Sequence, residues 1–215
     1  MSEPRFQRRK EDRPAEITKA ALGAFAEKGY AATRVEEVAK RAGISKGLLY
    51  LYFKTKEDLF KAVIRSFVEP LITRLSTHLD ESDLGAEEFI RGPFLSFIKT
   101  VPNSPVRMIF RLMITEGGKH PDLTEYYWTN VVTRGLDMLR KLIRRGVDNG
   151  EFRPTALDEL PQLLISPVIL SIVWKNLFDR HDSLDTDRFI ETHIDAMLAY
   201  LKPLPGAGEI PGETQ

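Results

Sequence analysis

Thr33-Arg34-Val35-Glu36-Glu37-Val38-Ala39-Lys40-Arg41-Ala42-Gly43-Ile44-Ser45-Lys46-Gly47-Leu48-Leu49-Tyr50-Leu51-Tyr52-Phe53-Lys54-Thr55-Lys56-Glu57-Asp58-Leu59 is the stretch on which the rest of the chain depends. Its spacing predicts a short helix, a tight turn, a second short helix and the start of a third. Thr33 is placed as an N-cap, and Glu36 follows at the spacing of a capping box. Val35, Val38 and Ala39 make one apolar stripe at helical period. Gly43 suits the left-handed residue that ends a helix, and Ser45 can cap the next one. Leu49 and Phe53, four apart, share a face.

Lys46, Gly47 and Tyr50 then fall on another face of the second helix. A helix-turn-helix needs this division, with one side braced against a core and the other laid in the major groove. Lys46 can reach a phosphate or a guanine edge. Gly47 lets the backbone approach DNA closely. Tyr50 and Tyr52 can offer hydroxyls to phosphates, which position a protein without specifying sequence. Thr33, Arg34, Ser45 and Lys56 complete the candidate DNA face. A bare Ala-x-x-x-Gly pattern fits an ordinary helical hairpin with a solvated lysine equally well. The continuation past Lys46 separates the two readings.

That continuation closely resembles the signature of the TetR family of bacterial transcriptional regulators. Gly29-Tyr30, Thr33, Val38-Ala39, Ala42-Gly43-Ile44-Ser45, Lys46-Gly47, Tyr50, Phe53, Lys56 and Leu59 carry the resemblance. It covers roughly residues 14–60. Two positions depart from it: Tyr52 stands where many members carry His, and Leu51 where others carry an aromatic or polar residue. The resemblance implies an all-α fold, with a three-helix DNA-binding head on a larger helical body for ligand binding and dimerisation. It also implies a regulator, most often a repressor, that binds a two-fold operator as a homodimer.

The residues outside the motif are consistent with such a plan. The formal net charge is zero, yet residues 1–60 hold 13 Lys or Arg against 9 Asp or Glu, and the remainder holds 18 against 22. A basic N-terminal part on an acidic body suits a DNA reader with a separate sensor domain. The absence of cysteine excludes disulfide and thiol chemistry and fits a reducing cytosol. No apolar run approaches the ~20 residues needed to span a bilayer. Residues 1–13 lack the apolar core of a signal peptide. They read as a basic arm, either a flexible tail or a segment that follows the minor groove.

Four parts are expected: the arm over 1–13, the DNA-binding domain over 14–54, the ligand and dimerisation domain over 55–202, and a Pro- and Gly-rich disordered tail over 203–215. The first helix is expected to begin at Pro14. Thr55 is placed to cap the long helix that follows the motif, and Pro70 to kink or interrupt it. Further helices are read at about 86–100, 104–116, 122–149, 156–179 and 186–202, with Gly92-Pro93 a candidate break.

Constellations for catalysis are missing: no P-loop, no G-x-S-x-G, no His-Glu-x-x-His and no zinc-binding Cys set. The chain therefore reads as a non-enzyme without cofactor or metal. Phe94, Phe97, Met108, Phe110, Met113, Glu116, Tyr127, Trp128 and Trp174 are candidates to line an apolar cavity for a small, mostly apolar effector. Residues 163–174 are apolar nearly all round, which predicts burial on more than one side. Leu164, Val168 and Ile172, with Phe189, His193 and Met197 of the last helix, are the candidate dimer interface. A DNA-binding protein with no small-molecule effector is the alternative that sequence leaves open.

Overall fold

The computed structural model describes residues 5–203, with side chains from Asp12 onward. In chain order the helices are α1 (Arg5–Lys28), α2 (Val35–Arg41), α3 (Lys46–Tyr52), α4 (Lys56–Phe67), α5 (Glu69–Glu81), α6 (Ala86–Phe89), α7 (Leu95–Thr100), α8 (Val106–Glu116), α9 (Pro121–Tyr127), α10 (Thr133–Asp148), α11 (Gln162–Leu177) and α12 (Thr186–Leu201). Among the described residues there is no strand. The described part of the tail expected over 203–215 is Pro203; the rest lies outside it, as do residues 1–4 of the arm.

The described residues form two compact units. One runs up to Arg74 and adds Asn103–Arg134; the other holds Leu75–Pro102 and the chain from Gly135 onward. In the first unit α1 packs against α2, α4 and α8. Ile17, Ala21, Phe25, Val38, Leu49, Leu59, Phe60 and Val63 are buried there. The rings of Phe25, Tyr30 and Phe60 meet one another at centroid distances of 5.3–5.5 Å, the tilted and edge-on geometry that aromatic quadrupoles favour. Helix α1 ends at Gly29, whose φ of 81° needs a residue without Cβ. The Ala26 carbonyl in that last turn has no intrahelical amide to serve. The Arg111 guanidinium of α8 donates to it at 2.7 Å.

In the second unit α7 packs against α11 and α12. Phe89, Ile90, Phe94, Ile98, Leu142, Ile190, Ile194 and Leu198 are its buried centre. At the rim, Arg91 pairs with Asp195 at 2.7 Å and Lys99 with Glu191 at 2.6 Å. Short α6 has no cap of its own. The Glu151 carboxylate caps it from a distance, accepting from the Ala86 and Glu87 amides at 2.9 and 3.0 Å.

Several local expectations change. Helix α1 begins by Arg5, so residues 5–13, read as an arm, continue the first helix. Arg, Gln, Lys and Glu there are good helix formers. The break before Pro70 falls at Val68, and Pro70 sits in the first turn of α5, where its missing N–H costs nothing. Gly92-Pro93 does not end a helix; Ile90–Phe94 widens into a π-turn between α6 and α7. A wide turn of this kind absorbs a residue that cannot donate to the ladder. Residues 156–161 are not helix, 156–159 forming a turn, and α11 starts after Pro161.

Candidate nucleic-acid interface

The motif folds as two short helices about a turn. Ala42 and Gly43 amides close α2 onto Val38 and Lys40 carbonyls at 2.9 and 3.1 Å. Gly43 has a φ of 66°, so the bend needs glycine. The Ser45 hydroxyl oxygen then accepts from the Leu48 amide at 3.1 Å and caps α3. Leu49 has no exposed surface and fixes α3 on the core. Lys46, Gly47 and Tyr50 are exposed, on the side expected to face DNA. A Cβ built on Gly47 would meet nothing within 4 Å. Packing within the chain therefore gives no reason for glycine at this position.

Lys46 is not free in this state. Its ammonium pairs with the Glu36 carboxylate of α2 and lies 5.8 Å from the Tyr50 ring centroid. The hydrogen bond to Lys46 holds the Glu36 carboxyl below its usual range, and the same bond pushes the Lys46 ammonium up. Glu36 was legible only as a capping-box partner, so its contact with the DNA-face cation was missed. Arg34 is exposed at the start of α2. Tyr52 is half-buried, its ring tilted against Phe53 at 6.5 Å.

Two candidate DNA contacts turn their side chains inward in the structure. Thr33 is 2% exposed, and its hydroxyl donates back to the Gly29 and Ala24 carbonyls at 2.7 and 3.2 Å. It neither caps α2, whose N-cap is Arg34 without a side-chain bond, nor presents its side chain to a phosphate. The end of α1 offers carbonyls nearer to hand, and they take the hydroxyl. Lys56 reaches inward. Its ammonium donates to the carbonyls of Tyr30, Ala31 and Thr33 at 2.9, 3.1 and 3.4 Å and sits 4.5 Å from the Tyr30 ring centroid. An ammonium has three N–H donors, and these carbonyls take all three. Burial lowers the Lys56 pKa, against the pull of Glu116. In the DNA-free chain Lys56 thus braces α4 against the turn after α1.

The candidate effector residues divide between the units. Met113 and Tyr127 line an open hollow of about 570 Å³ within the first unit, together with Ile114, Gly117, Pro121 and Thr124. Burial pushes the Tyr127 phenol up to about 12. Met108, Phe110 and Glu116 lie half-buried on α8, and Trp128 is exposed. Phe94 and Phe97 belong to the second unit, Phe94 in its buried centre and Phe97 half-buried. Trp174 is there too, and its indole N–H donates to the Asp182 carbonyl at 2.7 Å. Phe178 packs edge-on to it at 5.2 Å. It closes the end of α11 and does not line the hollow.

Of the six candidate dimer residues, the three on α11 turn inward. Leu164, Val168 and Ile172 are 0–3% exposed and belong to the core of their own unit. The uncovered apolar side chains of α11 are Leu163, Ile169, Leu170 and Leu177, at 40–63% exposure. On α12, Phe189, His193 and Met197 are half-buried, and His193 Nε2 lies 2.7 Å from the Leu163 carbonyl oxygen. An all-apolar helix carries no period from which to tell its inner from its outer side, so sequence could not place Leu164, Val168 and Ile172 in the core of their unit.

Comparison with known proteins agrees with this architecture. The profile of the bacterial regulatory proteins of the tetR family matches residues 17–63, and that of the tetracyclin repressor-like C-terminal domain matches residues 95–196. The chain belongs to the TetR family. It is 29% identical, over 163 residues, to the HTH-type transcriptional repressor KstR2 of Mycolicibacterium smegmatis, covering 74% of this chain and 77% of that one. The fold resembles SmeT, solved as a triclosan complex, with a TM-score of 0.76 at 21% identity over 94% of this chain and 99% of that one. It also resembles FadR of Bacillus subtilis, solved with stearoyl-CoA, with a TM-score of 0.72 at 20% identity over 86% and 97%. As a TetR-family regulator, the chain carries its helix-turn-helix on α2 and α3. Among the described residues no group of His, Asp and Glu could hold a metal, and no helix is long and apolar enough to cross a membrane.

Proposed function

We propose that this protein is a transcriptional repressor that binds a two-fold operator as a homodimer and is released by a small, mostly apolar effector. The observation that carries the reading is α3 itself. It is capped by Ser45 and locked by Leu49, and it leaves Lys46, Gly47 and Tyr50 facing outward. Residues 14–54 serve as the reading module. Phosphate contacts from Lys46, Arg34 and the hydroxyls of Ser45, Tyr50 and Tyr52 position it, and base edges are read from α3.

Dimerisation has its support in the uncovered leucines of α11. Leu163, Leu170 and Leu177 repeat at seven residues, a spacing that keeps them on one side of a helix. Paired with the half-buried side chains of α12, they suit an isologous contact with a second copy. Two heads are required because operators of this kind consist of two half-sites.

Support for an apolar effector comes from the hollow lined by Met113, Ile114, Pro121 and Tyr127 and from the ligands of the structural neighbours, an acyl-CoA and triclosan. An effector releases DNA only through a difference in affinity between two states of the dimer. The openness of that hollow favours the second reading, a DNA-binding regulator without an effector.

The test joins three measurements on the full chain. Light scattering at micromolar concentration should give a dimer, and Leu170→Glu should give a monomer with weak operator binding. Apolar compounds that raise the melting temperature should weaken operator binding in proportion, because coupling between two sites is reciprocal. Thermal-shift hits that leave operator affinity unchanged would support the effector-free reading. A monomer that holds a full operator tightly would refute the dimer.

A further inference from the structure

Helix α3 is seven residues long, and its buried anchor, Leu49, sets its orientation on the core. Successive residues turn by roughly 100°. Gly47 and Leu51, two residues either side of Leu49, therefore each point roughly 160° away from it. They straddle the outermost line of the helix. Gly47 puts no side chain there, and a Cβ would find open space. Leu51 is 82% exposed, the highest value among the exposed large apolar residues. A single exposed leucine on a protein surface needs no explanation. This one is the sole side chain on the outer line of the helix that carries Lys46, and Gly47 clears the turn before it.

A helix in the major groove puts its outer line deepest, against base edges. Leucine can neither donate nor accept a hydrogen bond, so amino and carbonyl edges give it nothing. The thymine C5-methyl is the one apolar group the major groove displays. We propose that Leu51 is a specificity-determining residue that reads a thymine methyl in each half-site. This rests on the reading of α3 as the recognition helix and names what its deepest side chain recognises. The cations and hydroxyls beside it hold phosphates, and Leu51 contributes base choice.

The test starts with the full chain selecting its site from a random duplex pool. The recovered site is then made with each thymine in turn replaced by deoxyuridine, which lacks only the methyl. At one thymine per half-site, deoxyuridine should weaken the parent by about four-fold, the value of one buried methyl-sized group. Leu51→Ala should bind the thymine and deoxyuridine sites alike, with the melting temperature of the parent. A parent indifferent to every replacement, or the same penalty in both proteins, overturns the proposal. So does a lowered melting temperature of Leu51→Ala, which would make Leu51 a brace of the head. A selection that recovers no preferred sequence would instead overturn the reading of α3 as a recognition helix, and this proposal with it.

Discussion

Replacing Lys56 by methionine separates two roles that a lysine next to a recognition helix can have. Methionine keeps the length and flexibility of the stem and removes the charge. In the structure three backbone carbonyls, of Tyr30, Ala31 and Thr33, lose their donor together, and Tyr30 loses a cation over its ring. Hydrogen bonds to a charged group contribute about 1.5–3 kcal/mol each when neither side is rehydrated. Water can reach the Ala31 carbonyl, which is exposed, and Lys56 is itself partly exposed. The sum is thus well below three such bonds, and we expect Lys56→Met to destabilise the first unit by about 2 kcal/mol. Urea unfolding followed by the fluorescence of Trp128, the tryptophan of that unit, would measure it. Operator binding at saturating folded protein should keep the parent's salt dependence. A lysine that neutralises one phosphate would lower the log–log slope by about 0.9. A slope reduced by that amount, with unfolding unchanged, would refute the assignment of Lys56 as an internal brace.

Gly47→Ala should raise the stability of the head by up to about 1 kcal/mol through helix propensity and still weaken operator binding, since the space around Gly47 is open in the free protein; unchanged binding in a gel-shift titration would show that DNA does not approach there. Glu36→Gln frees Lys46 from its exposed ion pair and removes a negative charge from the DNA face, so binding should tighten at low salt and the gain should fade as salt rises. Leu49→Ala should cost about 2–5 kcal/mol of stability, with loss of operator binding that follows the unfolded fraction in a denaturant titration. Glu151 offers a pH test. Desolvation raises its carboxyl, but the Glu87 and Ala86 amides and Asn149 outweigh that and leave it below its usual value. A lowered folded pKa gives stability that is present above the unfolded pKa and is lost as pH falls through the folded one. Melting temperatures of Glu151→Ala and parent should therefore differ at neutral pH and converge in acid.

The helix-turn-helix could be read from sequence because its signals are local. Gly43 needs a positive φ wherever it sits in the fold, Ser45 bonds an amide three residues away, and Thr55 with Asp58 closes a capping box within one turn. Leu49 could be placed inside because a period of roughly 3.6 residues divides so short a helix into two sides. Where a side chain had a choice of distant partners, sequence gave no means to choose. Thr33 stands at capping distance from Glu36, yet its hydroxyl turns to the end of α1. Lys56 belongs to the motif by spacing, but its ammonium fills with carbonyls 23–26 residues earlier in the chain. The apolar run of α11 announced burial on two sides without saying which was which. Leu164, Val168 and Ile172 turned inward because α7 and α12 pack on that side. The aromatic residues between Phe94 and Trp174 looked like one lining and fell into two units. Sequence alone determined the helical class and the helix-turn-helix, whose geometry closes within a few residues. Tertiary structure decided which donors, carboxylates and apolar faces remain outward, because that depends on what the other helices cover.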